Sequence, residues 1–194
     1  MWATVDVMNV INRFNQENNH RAKTHSITFR IEAKYFDKLQ QEANSRGISV
    51  NSLINHIIKD YFEWFIFQPK VGFVPVLKPV LREVFNKMSK EQINEVANSG
   101  KEEVTNALHF MTGKLDLDCF LAWFEERMKN SSIQVSHTLD NNSRMHTYVV
   151  KHDMCENWSI YLKEITKHIF NEIFKTNVQL IASDTTLTFK FKQD

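Results

Sequence analysis

Apolar and polar side chains alternate from Ser26 to Ile31, with Ile27, Phe29 and Ile31 set against Ser26, Thr28 and Arg30. A period of two places the two sets on opposite faces of a strand. From Glu32 and Ala33 the rhythm changes. Phe36, Leu39 and Ala43 recur at three and four, the narrow apolar stripe of a helix. Gly47 predicts its end, because glycine takes the left-handed conformation of a helix cap at no steric cost. Ser49 is a good N-cap for a second helix. That helix carries Val50, Leu53, Ile54, Ile57, Ile58, Tyr61, Phe62 and Phe65, the clearest helical periodicity in the chain.

The next stretch holds all three prolines, Pro69, Pro75 and Pro79, together with Gly72, and reads as a connector rich in Phe and Val. Helices then return. One runs from Val76 or Lys78 to Met88. Ser89 with Gln92 is a capping box that opens a second, to about Ala97. Val104, Leu108 and Met111 mark a third, closed by Gly113, and Asp116 begins a fourth with Phe120, Leu121, Phe124 and Met128 on one side. At Ser131 the period falls back to two. Ile133, Val135, His137 and Leu139 predict a strand, residues 140–143 a turn, and Met145–His152 a second strand. Trp158, Tyr161, Leu162, Ile165, Ile169 and Ile173 have helical spacing. Val178, Leu180 and Ala182, then Leu187, Phe189 and Phe191, form two further strands around a turn at Ser183-Asp184. The order is β-β-α-β-β. One sheet face is expected to bury against the helix, leaving the other wet or paired with a second subunit.

A lone strand exposes unpaired backbone groups and does not persist. One strand ahead of two amphipathic helices therefore calls for a second copy, with strands paired antiparallel and helices in a shared core. Residues 25–65, through the alternating strand, the helix, the turn at Gly47 and the capped start of the second helix at Gly47–Ile54, resemble the ribbon-helix-helix family of DNA-binding repressors, the MetJ/Arc type. The resemblance covers about 40 residues and implies a dimer whose two-stranded ribbon enters the major groove. It implies that Ser26, Thr28 and Arg30 contact bases, since arginine suits a bidentate contact with guanine and hydroxyls donate or accept. It also implies phosphate contacts from Lys23 and from Ser49, Val50 and Asn51 at a helix N-terminus, where free N–H groups favour an anion. The plain alternative is an edge strand with an ordinary polar face and a capped helix.

The 194 residues fit one or two domains, and a formal net charge of +1 does not itself mark a nucleic-acid partner. Charge distribution changes that picture locally: residues 18–31 hold no acid but carry Arg21, Lys23 and Arg30. A solvated tail has the same composition. Residues 1–24 also contain Trp2, Val5, Val7, Met8, Val10, Ile11 and Phe14, an arm or short helix. Two cysteines, Cys119 and Cys155, suit a reducing compartment rather than a disulfide framework. With no membrane-length apolar run and no secretory signal, a cytoplasmic location is expected.

Candidate chemistry gathers in the last third, where His137, His146, His152, Cys155 and His168 fall. His152 and Cys155 have a separation that suits a soft metal ion. The competing and favoured explanation is a strand-to-helix turn in which His152 and Asp153 cap the helix and Trp158 anchors it, so no metal ligand and no cofactor is assigned. No Gly-rich phosphate loop, G-x-S-x-G or H-E-x-x-H motif is present, and four glycines leave few strained turns for such sites. An enzyme is not expected.

The sequence thus predicts an α+β chain: 1–24 an N-terminal arm or short helix, 25–65 the ribbon-helix-helix module, 66–130 a connector and helical block, and 131–194 the β-β-α-β-β module. The function expected is that of a homodimeric transcriptional regulator binding double-stranded DNA, with the C-terminal part serving sensing or oligomerisation. The alternative is an antitoxin-like interaction protein whose N-terminal module mainly dimerises.

Overall fold

A computed structural model of the chain describes residues 24–192. The arm or short helix expected in the first 24 residues lies outside these, Thr24 excepted. The architecture is mixed, with six α-helices and one four-stranded antiparallel sheet among the described residues. The chain divides into two units, Met1–Lys70 and Val71–Asp194.

The first unit holds α1 (Ala33–Ser45) and α2 (Val50–Asp60), the latter running on through a wider π-helical turn at Tyr61–Phe65. Helix α1 closes as the glycine predicts. Gly47 sits at φ +64°, the Ile48 N–H donates to Ala43 O at 3.0 Å and the Gly47 N–H to Asn44 O at 3.1 Å. This pair of bonds satisfies carbonyls that a bare helix end leaves open. Ser49 then caps α2, its Oγ accepting the Ser52 N–H at 3.0 Å.

The second unit begins with α3 (Lys78–Lys87), with Pro79 in the first turn, where a missing N–H costs nothing. Ser89 opens α4 (Lys90–Thr112) with the expected capping box: its Oγ accepts the Gln92 N–H at 3.2 Å and its own N–H donates to Gln92 Oε1 at 2.8 Å. Helix α4 is one element of 23 residues, not the two helices the sequence suggested. Gly100 lies inside it with an open helical conformation. A helix tolerates an interior glycine at a cost of about 1 kcal/mol, and here a Cβ at Gly100 would stand 3.6 Å from the Tyr161 hydroxyl. The glycine marks a close approach, not a stop. The true stop is Gly113, at φ +71°. Asp116 caps α5 (Leu117–Asn130) by accepting the Cys119 N–H at 2.8 Å.

Strands β1 (Gln134–Asp140) and β2 (Met145–Lys151) form the predicted hairpin; α6 (Glu156–His168) follows, continuing in a π-helical turn at Ile169–Ile173, and β3 (Val178–Ala182) and β4 (Thr186–Lys192) close the sheet in the order β1-β2-β4-β3. His137 faces Tyr148, Tyr148 faces Phe189, and Leu180 faces Phe189 across the ladders. Tyr148, Val150, Leu187, Phe189 and Phe191 are buried on one face. Phe124 of α5 meets Phe189 at 5.5 Å and Phe120 meets Phe170 at 5.7 Å, both edge-on, the favoured geometry for aromatic pairs. The helical block and the sheet module therefore share one core. Asn157 ties in α3, its amide donating to Phe85 O at 2.7 Å and Met88 O at 2.9 Å. The opposite sheet face, with Thr138, Thr147, Thr188 and Lys190, carries no buried residue.

Candidate nucleic-acid interface

The residues singled out for DNA contact all belong to the first unit. Lys23 lies outside the described residues. Ser26, Thr28 and Arg30 are exposed, in a segment from Thr24 to Glu32 that has neither helix nor strand pairing. The strand expected there is not formed in the single chain. A strand needs a hydrogen-bonded neighbour, and the four strands of this chain pair only with one another. The alternation survives in what is left bare: Ile27, Phe29 and Ile31 are 73, 53 and 40% exposed.

At the start of α2 the Ser49 hydroxyl is engaged by Ser52, both by its N–H and, at 2.8 Å, by its Oγ. The N–H groups of Val50 and Asn51, the first two helical residues, have no acceptor within the helix, and the first turn contains no acid to compete for an anion. The two helices contribute the rest of an uncovered apolar surface, comprising Tyr35 and Phe36 of α1 and Ile57, Ile58, Tyr61, Phe62 and Phe65 along α2. Only Ala43, Leu53, Trp64 and Phe67 are buried in this unit. Exposed apolar surface on this scale marks an interaction site in soluble proteins.

In the second unit the chemistry sorts differently from the sequence expectation. His152 is buried. Its Nδ1 accepts the Met154 N–H at 3.3 Å, so its Nε2 carries the hydrogen and donates to Ser159 Oγ at 2.8 Å. Burial holds its pKa below the usual histidine value, the Lys78 charge adding to that and the Asp153 charge opposing it. With both ring nitrogens engaged, His152 offers no lone pair to a metal, and it cannot take a proton from Ser159, which is itself fully buried. Cys155 occupies the N-cap of α6. Burial, aided by Asp116, pushes the Cys119 thiol up to about 11, so it is not a thiolate near neutrality. Among the described residues no three His, Cys, Asp or Glu side chains gather to hold a metal ion.

Two histidines do meet. His137 of β1 and His146 of β2 place Nε2 and Nδ1 3.0 Å apart. Their rings are 12° from parallel with centroids 5.1 Å apart, so they lie nearly edge to edge and share one in-plane hydrogen. Sequence reasoning noted both without pairing them. The signal was available in the hairpin, because counting outward from the turn at 141–144 sets Leu139 opposite His146 and His137 two residues diagonal to it.

Compared with known proteins, the chain matches no family model, no curated protein and no solved structure. Among the described residues, no helix is long and apolar enough to cross a membrane.

Proposed function

We propose that the chain is a homodimeric ribbon-helix-helix regulator that binds double-stranded DNA. The observation that carries this reading is the apolar surface from Ile27 to Phe65, which brackets a well-capped helix-turn-helix yet is left open by the single chain. A second copy supplies what is missing. Two segments 26–31 pair antiparallel, Ile27, Phe29 and Ile31 turn onto the helices, and the period-two alternation then puts Ser26, Thr28 and Arg30 of both chains on the outer face. A ribbon of this kind fits the major groove. The open N–H groups of Val50 and Asn51 suit a backbone phosphate, which fixes register without reading sequence. Two-fold symmetry makes the operator palindromic or repeated.

The same surface would also serve a protein that only dimerises or clasps another protein. Fluorescence anisotropy separates the two, with labelled DNA from the region upstream of the protein's own gene compared with unrelated DNA at two salt concentrations, using the native chain and Arg30→Ala. The regulator binds the upstream DNA with strong salt dependence. Arg30→Ala then loses discrimination worth about 1–3 kcal/mol. A dimer that ignores both DNAs at low salt leaves only the interaction reading.

A further inference from the structure

The imidazole pair on the β1-β2 hairpin has a geometry beyond a single hydrogen bond. Two nitrogens each about 2.0–2.1 Å from one ion stand about 2.9 Å apart when they subtend a right angle, and about 3.3 Å apart at the tetrahedral angle. The observed 3.0 Å lies in that range, nearer the right angle. We propose that His137 and His146 form a two-histidine site for a divalent transition ion of the copper(II) type, with water completing the coordination.

The chemistry asks little of the protein. In the present arrangement one ring donates its N–H to the lone pair of the other. A neutral imidazole has two tautomers. Moving one hydrogen to the far nitrogen leaves two lone pairs converging on the same point, which an ion takes over with no net loss of protons. Imidazole is a good ligand for copper, nickel and zinc, and right-angled nitrogen ligation selects copper(II) or nickel(II) over zinc. The rings are held in place. His137 stacks on Tyr148 at 4.2 Å and His146 on Phe191 at 5.0 Å, both nearly parallel, so the planes are fixed while each ring keeps in-plane freedom. Solvent reaches the site, since His137 is exposed and His146 only partly covered. The field is favourable as well. The Asp118 carboxylate acts on His146 in the direction that stabilises positive charge there, against the opposing effects of burial and of His137. The site belongs to the unit Val71–Asp194 and stands independently of the DNA-binding reading.

The test is calorimetric titration of the untagged full chain with copper(II), repeated on His137→Ala, His146→Ala and, as a control on other histidines, His25→Ala with His56→Ala. The native chain is expected to take up one ion at micromolar affinity. Each single substitution in the pair is expected to weaken that uptake by about tenfold or more, because a chelate loses its second arm, and the control is expected to change nothing. The copper resonance should show two nitrogen couplings in the native chain and one in each single variant. Should a substitution unfold the unit, protection of both histidines from carbethoxylation by copper in the native chain reads the same contact. Uptake unchanged in either single variant, lost in the control instead, or absent from the native chain overturns the site.

Discussion

Phe189 in the sheet and Phe29 ahead of the first helix are the same side chain in opposite circumstances. One is 0% exposed, the other 53%. Phe189 is surrounded by Phe124, Tyr148, Phe170 and Phe191, each delivered by a different part of the same chain or ladder. Phe29 has no counterpart of that kind. The contrast runs through both units. The second closes its own core, apart from a strip at Val74, Val76, Leu77, Val80 and Val84, and its burial satisfies the usual requirement for an independent domain. The first has good local geometry, with every cap and turn in place, but most of its large apolar side chains face water. Local geometry and tertiary completeness are separate achievements, and this chain shows one without the other.

The largest effect is expected inside the second unit. Phe170→Ala removes a fully buried ring and is expected to cost about 3–5 kcal/mol in denaturant unfolding, at any protein concentration. Independence from concentration is what sharpens the comparison. Ile57→Ala, at a half-exposed position, comes next. If a second copy covers α2, the substitution weakens dimerisation by about 1.5–3 kcal/mol per chain in sedimentation. A change within about 0.5 kcal/mol, normal for a bare surface, would mean that the face stays uncovered and would break the contrast drawn here.

Ser49→Ala is smaller. Losing the bond to the Ser52 N–H is expected to cost about 1 kcal/mol, seen as early loss of helical circular dichroism from the first unit while the second melts unchanged. The mildest effect is a pH dependence of the second unit. His152 has a folded pKa below its ordinary value, so the unfolded chain binds the proton more readily. Stability is therefore held above about pH 6.5 and declines as pH falls below it. Melting curves from pH 7.5 to 5.5 should fall, and His152→Gln should flatten that slope while lowering the melting temperature at pH 7.5.

Much of this was legible in the sequence wherever the cause is local. Ser49, Ser89 and Asp116 cap, Gly47 and Gly113 stop, and the Asp140 carboxylate takes the Asn142 N–H and the Ser143 hydroxyl in the hairpin turn as a turn aspartate should. Distant causes were hidden. Gly100 looked like a break because the residue that explains it, Tyr161, is sixty-one positions away. Residues 26–31 alternate like a strand, but their neighbour is not in the same chain. The site residues divide on the same line. The cap and the exposed ribbon side chains followed from local pattern, whereas the His137–His146 pair depends on register across a hairpin. The engagement of His152 with Ser159 needed the sheet and α6 in place.

The amide of Asn157 has a consequence for the order of events during synthesis. It closes the last carbonyls of α3 from 72 and 69 residues downstream. At about 5–20 residues per second, that end of α3 waits roughly 4–14 s after it is made before its partner exists. In that interval the helix has Pro79 and its own turns to hold it, and nothing at its end but water. The unit is therefore expected to assemble late and all at once when the final third arrives, instead of growing from its N-terminal helix.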